Sequence, residues 1–236
     1  MRRTILIWAI ALTTFACHNR SNDKKDLKQI EKTSMEKQLS TIAFPNEYYY
    51  TDGKFDKEKA KDAIVALLKY HNYPVFSTLR ESLWVSDYGT GQFAKLGLAA
   101  LPIVNNEQDL YMLQDLFLMP GQMLPEHWHE IPANLPLKME AWFVRNGSCY
   151  IAGVGENNLS SFSEVVIPQC HMDGSVTVKN IVKAGPGSLV KLTQPKSRHW
   201  QFAGKEGVIE SEVANVHSGI DVRHSDKKIN DNFLNK

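Results

Sequence analysis

Three histidines and one glutamate in this chain have the types and the spacing of a metal site. His127 and His129 are two residues apart, so on a β-strand both imidazoles face the same side. Glu140 follows eleven residues later, and a hairpin would bring its carboxylate beside them. His199, in a later β-like run, is the candidate for the fourth ligand. Three imidazoles and one carboxylate suit a divalent first-row metal with open positions for a substrate.

The elements that must position these residues are short β-like runs separated by turn residues. They begin near Gln108 and include Glu140–Arg145, Ser148–Ala152, Ser175–Val178, His199–Phe202 and Val208–Val216. Asn146-Gly147 is typical of a hairpin turn between the first two of these runs. Many short strands separated by turns predict an antiparallel barrel or jelly roll.

One helix is predicted before the β-rich region. Over Asp56–His71, apolar residues recur with the helical period, Asp56 can cap the start, and Pro74 stops the pattern. The predicted fold is therefore mainly β, with an N-terminal helical segment.

The spacing of the candidate ligands also matches a known motif. Glycine, five residues, His-x-His, a spacer, Glu, six residues and glycine is the first cupin motif, and the second motif is present more loosely. The matching residues are Gly121, His127, His129, Glu140 and Gly147, then Gly187, Pro195 and His199. The chain thus resembles the cupins, and the resemblance implies a cupin jelly-roll β-barrel.

A longer likeness narrows the family. The stretch 88–129, which ends in MPGQMLPEHWH, and the stretch that begins HWQFAGKEG at His199 are similar to the D-lyxose isomerase family of cupin sugar isomerases. The likeness covers roughly Leu83 to Asp226. It implies that His127, His129, Glu140 and His199 hold the metal and that Lys138 and Glu212 form the catalytic pair. Manganese is the expected metal, and Zn²⁺ or Fe²⁺ could occupy the same ligands.

The implied reaction is the isomerisation of a free sugar such as D-lyxose or D-mannose. Aldose–ketose isomerisation moves a proton between C1 and C2 through an enediol, which needs a base, an acid and a metal that polarises the carbonyl. Glu212 is the better base, and Lys138 is the candidate acid. We expect the two groups to lie several ångströms apart, with room for two adjacent sugar carbons between them.

Two other functions remain open at this point. Three histidines and one glutamate also serve cupin dioxygenases, which do not need the Lys138–Glu212 pair. A non-catalytic sugar-binding protein could have kept the barrel with Glu212 turned away from the metal.

Trp84, Trp142 and Trp200 could line a sugar pocket, although packing in the core is the default for such residues. His171, His217 and His224 have no ligand spacing and are left out of the site, and His71 lies on the apolar face of the predicted helix, where packing or capping is the default.

The N-terminus predicts export. Arg2 and Arg3 precede an apolar run that is too short to span a bilayer. The run ends at Ala16-Cys17, which resembles a lipobox, so we expect a lipoprotein signal peptide at 1–16 and a lipid anchor on Cys17. The polar segment 17–43 is predicted to be a flexible tether, followed by a single domain at 44–236.

Composition limits the partners. A formal net charge of +1 gives no reason to expect nucleic acid, so the expected partners are a monosaccharide and, through Cys17, a membrane. A homodimer is an open alternative to a monomer. Cys149 and Cys170 are either buried free thiols or, in an oxidising compartment, a disulfide.

Overall fold

A curled antiparallel sheet dominates the fold. The computed structural model describes residues 33, 36–130 and 135–235, and nine strands of this part of the chain form one sheet. They are β3 (Trp84–Ser86), β4 (Leu98–Asn106), β5 (Tyr111–Leu118), β6 (Met123–His129), β7 (Glu140–Gly153), β8 (Asn180–Ala184), β9 (Leu189–Lys191), β10 (His199–Asn215) and β11 (Val222–His224). The prediction of a mainly β fold is confirmed.

Shorter elements surround this sheet. Strands β1 (Tyr50–Thr51) and β2 (Lys54–Phe55) form a small separate pair. From residue 40 onward, the α-helices of the described residues are α1 (Lys57–Tyr70), α2 (Leu79–Ser82) and α3 (Lys227–Leu234), and single 3₁₀ turns lie at Ser40–Ile42, Asn46–Tyr49 and Leu159–Ser161. Among the described residues, no helix has the length and apolar character needed to cross a bilayer.

Strand β10 is the centre of the architecture. Its first residues pair with β6, its last residues pair with β5, and its other edge pairs with β7 along most of its length. The sheet curls far enough for the segment before β4 to meet β6. There Met123 N donates to the carbonyl of Lys95 at 2.9 Å, and Gly97 N donates to the carbonyl of Met123 at 3.0 Å. Side chains on the concave face of the sheet therefore converge.

Helix α1 covers the outer face of the sheet. Asp56 caps it by accepting hydrogen bonds from the backbone N–H groups of Glu58 and Lys59, and Ile64 and Leu67 are among its fully buried residues. They pack in one cluster with Phe117 of β5 and Ile209 of β10. Because side chains alternate along a strand, Leu116 instead enters a second cluster inside the curl. The predicted helix is confirmed.

The folded domain begins earlier than the predicted boundary at residue 44. Residues Leu39–Lys236 form one compact unit, and Ile42 is buried in the cluster around α1, with Leu39 packed against it. These two apolar side chains gain burial against the helix, so the end of the predicted tether belongs to the domain. The predicted signal peptide and Cys17 lie outside the described residues.

The predicted hairpin turn at Asn146-Gly147 is wrong. Both residues lie inside the continuous strand β7, opposite Ile209 and Val208 of β10, where the register shifts. Gly147 has φ +73°, and a Cβ at this position would collide with the carbonyl of Gly207. The glycine is therefore required by an irregularity within a long strand, and not by a chain reversal.

The predicted strand Ser175–Val178 is also wrong. The backbone N–H groups of Thr177 and Val178 donate to the buried carboxylate of Glu126, at 2.8 and 3.0 Å, instead of to a neighbouring strand. Strands β3 and β4, by contrast, were not predicted. Leu98–Leu101 is buried on both faces, so it lacks the alternation that marks a half-exposed strand.

In the order of paired strands β11-β6-β10-β5-β4-β3, the strands β11 and β3 lie at the two ends. Helix α3 lies between these two end strands. The Phe233 ring of α3 lies 5.2 Å from the His224 ring of β11. On the other side, His224 lies 5.2 Å from Tyr88, just after β3. Gly89, with φ +73°, permits the close approach of the Asn232 side chain of α3. The concave side is thereby enclosed as a cavity.

Candidate metal centre and sugar cavity

The four predicted metal ligands converge, although by a different route from the one predicted. His127 and His129 are two residues apart on β6, so both side chains point to the concave face of the sheet. His199 of β10 lies directly opposite His127. Glu140 begins β7 and pairs with Ala214, so it reaches the histidines across β10 and not through a hairpin. All four side chains are buried, and residues 131–134, between His129 and Glu140, are outside the described part of the chain.

Distances within the group are those of a compact centre. The ligand atoms of His127, His129 and His199 lie within 4.8 Å of one another. Glu140 Oε1 is 3.1 Å from His129 Nε2, and Glu140 Oε2 is 3.1 Å from His199 Nε2. The three histidines could hold a metal, and the carboxylate of Glu140 lies beside them.

Hydrogen bonds behind the rings fix which nitrogen faces the centre. His127 Nδ1 lies 2.9 Å from the carbonyl of Pro125, and His199 Nδ1 lies 3.0 Å from the carbonyl of Ser197. A carbonyl can only accept, so each Nδ1 donates and each Nε2 lone pair is free. His129 Nδ1 is 3.6 Å from a carboxylate oxygen of Asp221. Outer partners of this kind typically orient metal-binding histidines.

The polar atoms at the centre lack other partners. Among the described residues, His129 Nε2, His199 Nε2 and Glu140 Oε2 make no hydrogen bond of acceptable geometry. Burial, followed by the nearby rings of His199 and His129, holds the pKa of His127 well below its usual range, so its lone pair stays available. Leaving such atoms unsatisfied is costly, and a divalent cation would satisfy them together. The donor set fits a metal.

The predicted catalytic pair lies at this centre but is closer than predicted. Lys138 Nζ is 3.6 Å from Glu140 Oε1 and 3.8 Å from Glu212 Oε1, and it donates to the carbonyl of Asn215 at 3.3 Å. Two sugar carbons cannot lie between groups at this separation. The physical reason is that an ammonium and carboxylates buried together attract one another strongly.

Glu212 faces the cavity, whereas Lys138 is not among the residues that line it. Gln114 Nε2 donates to Glu212 Oε2 at 3.1 Å. Burial, followed by the negative charge of Glu140, raises the pKa of Glu212 to about 7, and Lys138 only partly offsets this. A carboxyl group in this environment can take up and release a proton near neutral pH.

A cavity of about 370 Å³ opens from the centre, a size typical of small-molecule sites. Its walls combine the predicted ligands His127, His129 and Glu140 with aromatic and polar side chains that include Trp84, Tyr88, Gln114, His217, His224 and Phe233. Of the three tryptophans, Trp84 lines the cavity, whereas Trp142 and Trp200 are buried in the core.

Cys149 and Cys170 are free thiols.

The sequence did not predict that the histidines His217 and His224 line this cavity. His224 lies on a three-residue strand that pairs with β6, and His217 lies in the loop before it, where its backbone bonds to the side chain of Asn105. Neither position carries a local pattern, because each reaches the cavity only through long-range pairing.

Comparison with solved structures identifies the class of fold. The L-ribose isomerase of Cellulomonas parahominis superposes with a TM-score of 0.56 at 15% sequence identity, covering 74% of this chain and 93% of the other. The L-ribose isomerase of Acinetobacter sp. DL28 gives a TM-score of 0.52 at 13% identity, covering 75% and 94%. The chain has the cupin fold of these sugar isomerases, as predicted.

Sequence comparison identifies the family. The chain is 30% identical over 157 residues to a D-lyxose/D-mannose isomerase of Thermosediminibacter oceani, covering 66% of this chain and 83% of that protein. It is 29% identical over 158 residues to a D-lyxose ketol-isomerase of Cohnella laeviribosi, covering 67% and 84%. No family model matches the chain. The chain belongs to the D-lyxose isomerase family of aldose–ketose isomerases, and the resemblance found in the sequence is confirmed.

Proposed function

We propose that the protein is a metal-dependent isomerase that interconverts a free aldose, such as D-lyxose or D-mannose, with its ketose. The relative from Thermosediminibacter oceani acts on these two sugars by name. The observation that carries the proposal is the position of Glu212, whose carboxylate lines the cavity beside the three histidines and Glu140. This is where a proton-transferring base must lie if the carbonyl end of the sugar is held at the centre.

The metal would be held by His127, His129, His199 and Glu140, with manganese as the proposed ion and Zn²⁺ or Fe²⁺ as alternatives that suit the same donors. Bound there, the ion would polarise the sugar carbonyl. Each histidine would supply a nitrogen lone pair, and Glu140 would supply the charge that balances part of the dication.

Glu212 performs the proton transfer in this proposal. Its carboxylate takes the proton from C2 of the aldose, and the electron pair moves into the C1–C2 bond as the carbonyl oxygen O1 gains the hydroxyl proton of O2 by way of the enediol. The same carboxyl then returns its proton to C1, and the carbonyl is left at C2. No atom is gained or lost, and no oxidant is needed.

Lys138 acts on the carboxylates and not on the sugar. Its ammonium lies 3.6 Å from Glu140 and 3.8 Å from Glu212, and it does not line the cavity. Two neighbouring carboxylates repel each other, and a cation between them reduces that repulsion. We therefore treat Lys138 as a positioning residue, although the sequence predicted it as an acid.

Neither of the two alternative functions, cupin dioxygenase or non-catalytic sugar binding, requires this arrangement of Glu212. A cupin dioxygenase does not need a base at Glu212, and a sugar-binding protein does not need a buried carboxyl group that faces the cavity beside the metal ligands. The inward orientation of Glu212 therefore favours the isomerase.

The experiment that tests the proposal is direct. The domain from Leu39 onward is stripped with a chelator, reloaded with Mn²⁺, Zn²⁺ or Fe²⁺, and incubated with a panel of pentoses and hexoses. We expect ketose to form from D-lyxose and D-mannose only in the reloaded samples. Absence of ketose from every aldose with every metal would contradict the proposal.

Export belongs to the proposal as well. The basic start, the short apolar run and Ala16-Cys17 support a lipoprotein whose domain is tethered outside the cytoplasm. The sugar would then be isomerised on the outer side of the membrane to which Cys17 is attached.

A further inference from the structure

His224 is a buried imidazole on the wall of the cavity that neither the metal centre nor the proton transfer uses. It lies on β11 directly opposite His127 of β6. Residues opposite each other in an antiparallel pair point to the same face, so its ring enters the cavity as that of His127 does. The two ring centroids are 5.8 Å apart.

The polar atoms of this ring have no partner in the described part of the chain. His224 is only 4% exposed, and neither Nδ1 nor Nε2 makes a hydrogen bond. Its neighbours are the rings of Tyr88 and Phe233, each 5.2 Å away. A buried donor and a buried acceptor without partners destabilise the free protein, and a ligand that satisfies both is favoured accordingly.

The chemistry of the ring indicates which ligand this is. The ring is buried, and burial disfavours the charged imidazolium form. A neutral imidazole offers one donor and one acceptor, which a hydroxyl group can match because it also both donates and accepts. His224 lies outside the group of three histidines whose nitrogens lie within 4.8 Å of one another.

We propose that His224 binds the terminal hydroxyl of the sugar, at the end remote from the reacting carbonyl. This inference rests on the proposed function. The carbonyl end is held near Glu212, on the part of β10 that pairs with β5 and β7, whereas His224 lies on β11, beyond the strand β6 that pairs with the other end of β10. Both side chains line the same cavity. A sugar whose C1 and C2 lie beside Glu212 therefore directs its last carbons toward His224, and the aromatic rings enclose that end.

The first test pairs a protein variant with a substrate variant. His224→Phe removes the donor and acceptor and keeps an aromatic ring, and 5-deoxy-D-lyxose lacks the terminal hydroxyl. We expect each change alone to lower kcat/KM about tenfold, and both together to lower it no further than either one, because they remove the same hydrogen bond. Any difference in ring opening of the deoxy sugar affects both enzymes equally. Independent, multiplicative losses would overturn the assignment.

A binding measurement makes the test independent of turnover. A five-carbon sugar alcohol at high concentration should raise the Tm of the wild-type domain, and this rise should be lost in His224→Phe and partly kept in His224→Asn, which retains a donor and an acceptor. His71→Phe, at the end of α1 and away from the cavity, is the matched control and should keep the full rise. An undiminished rise in His224→Phe would overturn the subsite even if the wild type proves to have no isomerase activity.

Discussion

At the scale of single residues, the two glutamates of the cavity should have different roles, Glu140 as a metal ligand and Glu212 as the base. Glu140 lies 3.1 Å from two imidazole nitrogens, whereas the neighbouring Glu212 has Gln114 as its hydrogen-bond donor. Glu212→Gln should lower kcat by about 10² or more, because it removes the base, and the metal content should stay unchanged. Glu140→Gln should instead weaken the binding of the metal.

Metal analysis and ketose formation on the same samples separate these two outcomes. Near-normal turnover by Glu212→Gln would remove this residue from the mechanism. Loss of metal from Glu212→Gln, at the level seen with Glu140→Gln, would make Glu212 a ligand.

A further glutamate predicts the pH dependence of stability. Glu210 is fully buried inside the curl, and burial, followed by the charge of Glu212, raises its pKa to about 8. A carboxyl group with a raised pKa in the folded state contributes its full stability below the unfolded pKa of about 4.3. That contribution is lost as the pH rises through about 8.

Glu210→Gln should therefore lose less stability than the wild type between pH 5 and pH 8, at the approximate bounds set by these pKa values. The measurement is Tm against pH for both proteins. The same substitution at Glu107, which is exposed on the β4–β5 turn, is the control for a simple change of net charge. Parallel profiles for the wild type and Glu210→Gln would show that Glu210 is not protonated in the folded state.

At the scale of elements, the irregularity in β7 positions Glu140. Gly147 combines φ +73° with close contact to Gly207, and the register of β7 against β10 shifts at this point. Gly147→Ala should cost about 2 kcal/mol or more of unfolding free energy, because the added Cβ meets both backbone strain and a carbonyl oxygen.

Urea unfolding of Gly147→Ala and Gly185→Ala gives the comparison. An alanine Cβ at Gly185 meets no atom within 4 Å, and its φ is ordinary, so that variant should lose little stability. Equal losses in the two variants would show that the close approach to Gly207 is unimportant.

The elements also show what the sequence could and could not predict. His127 and His129 were predicted because strand alternation is a local property, and Glu140 was predicted from its position in the cupin motif. The distance from Lys138 to Glu212 was not, because it depends on how β7 and β10 pair and on the attraction of buried charges. His224 was missed for a similar reason, since only the pairing of β11 with β6 brings it into the cavity.

Asn146-Gly147 was misinterpreted because the same dipeptide serves two purposes. A glycine with positive φ can form part of the turn that connects two strands of a hairpin, or it can accommodate a register shift within one strand. Only the partner strand decides between them. Here β10 runs past both residues, and the pairing continues on either side of the shift.

At the scale of the whole molecule, the proposed anchor and the enzyme should be separable. The cavity, the candidate metal ligands and the hydrophobic clusters all lie within the unit Leu39–Lys236. Cys17 lies outside the described residues and far along the chain from this unit. Cys17→Ser in the full chain should therefore move the protein from the membrane fraction to the soluble fraction, with the Tm of the domain and its isomerase activity unchanged.

The control for this experiment is Cys170→Ser, which changes a half-buried free thiol within the domain and should leave the protein in the membrane fraction. Fractionation and incorporation of a labelled fatty acid give independent measurements of the anchor. If Cys17→Ser stayed in the membrane fraction, the attachment would have to come from the apolar run before it, which would then be an uncleaved segment and not a signal peptide. Labelling of the wild type but not of Cys17→Ser would assign the lipid to this one cysteine, because a thioether on Cys17 has no counterpart on serine.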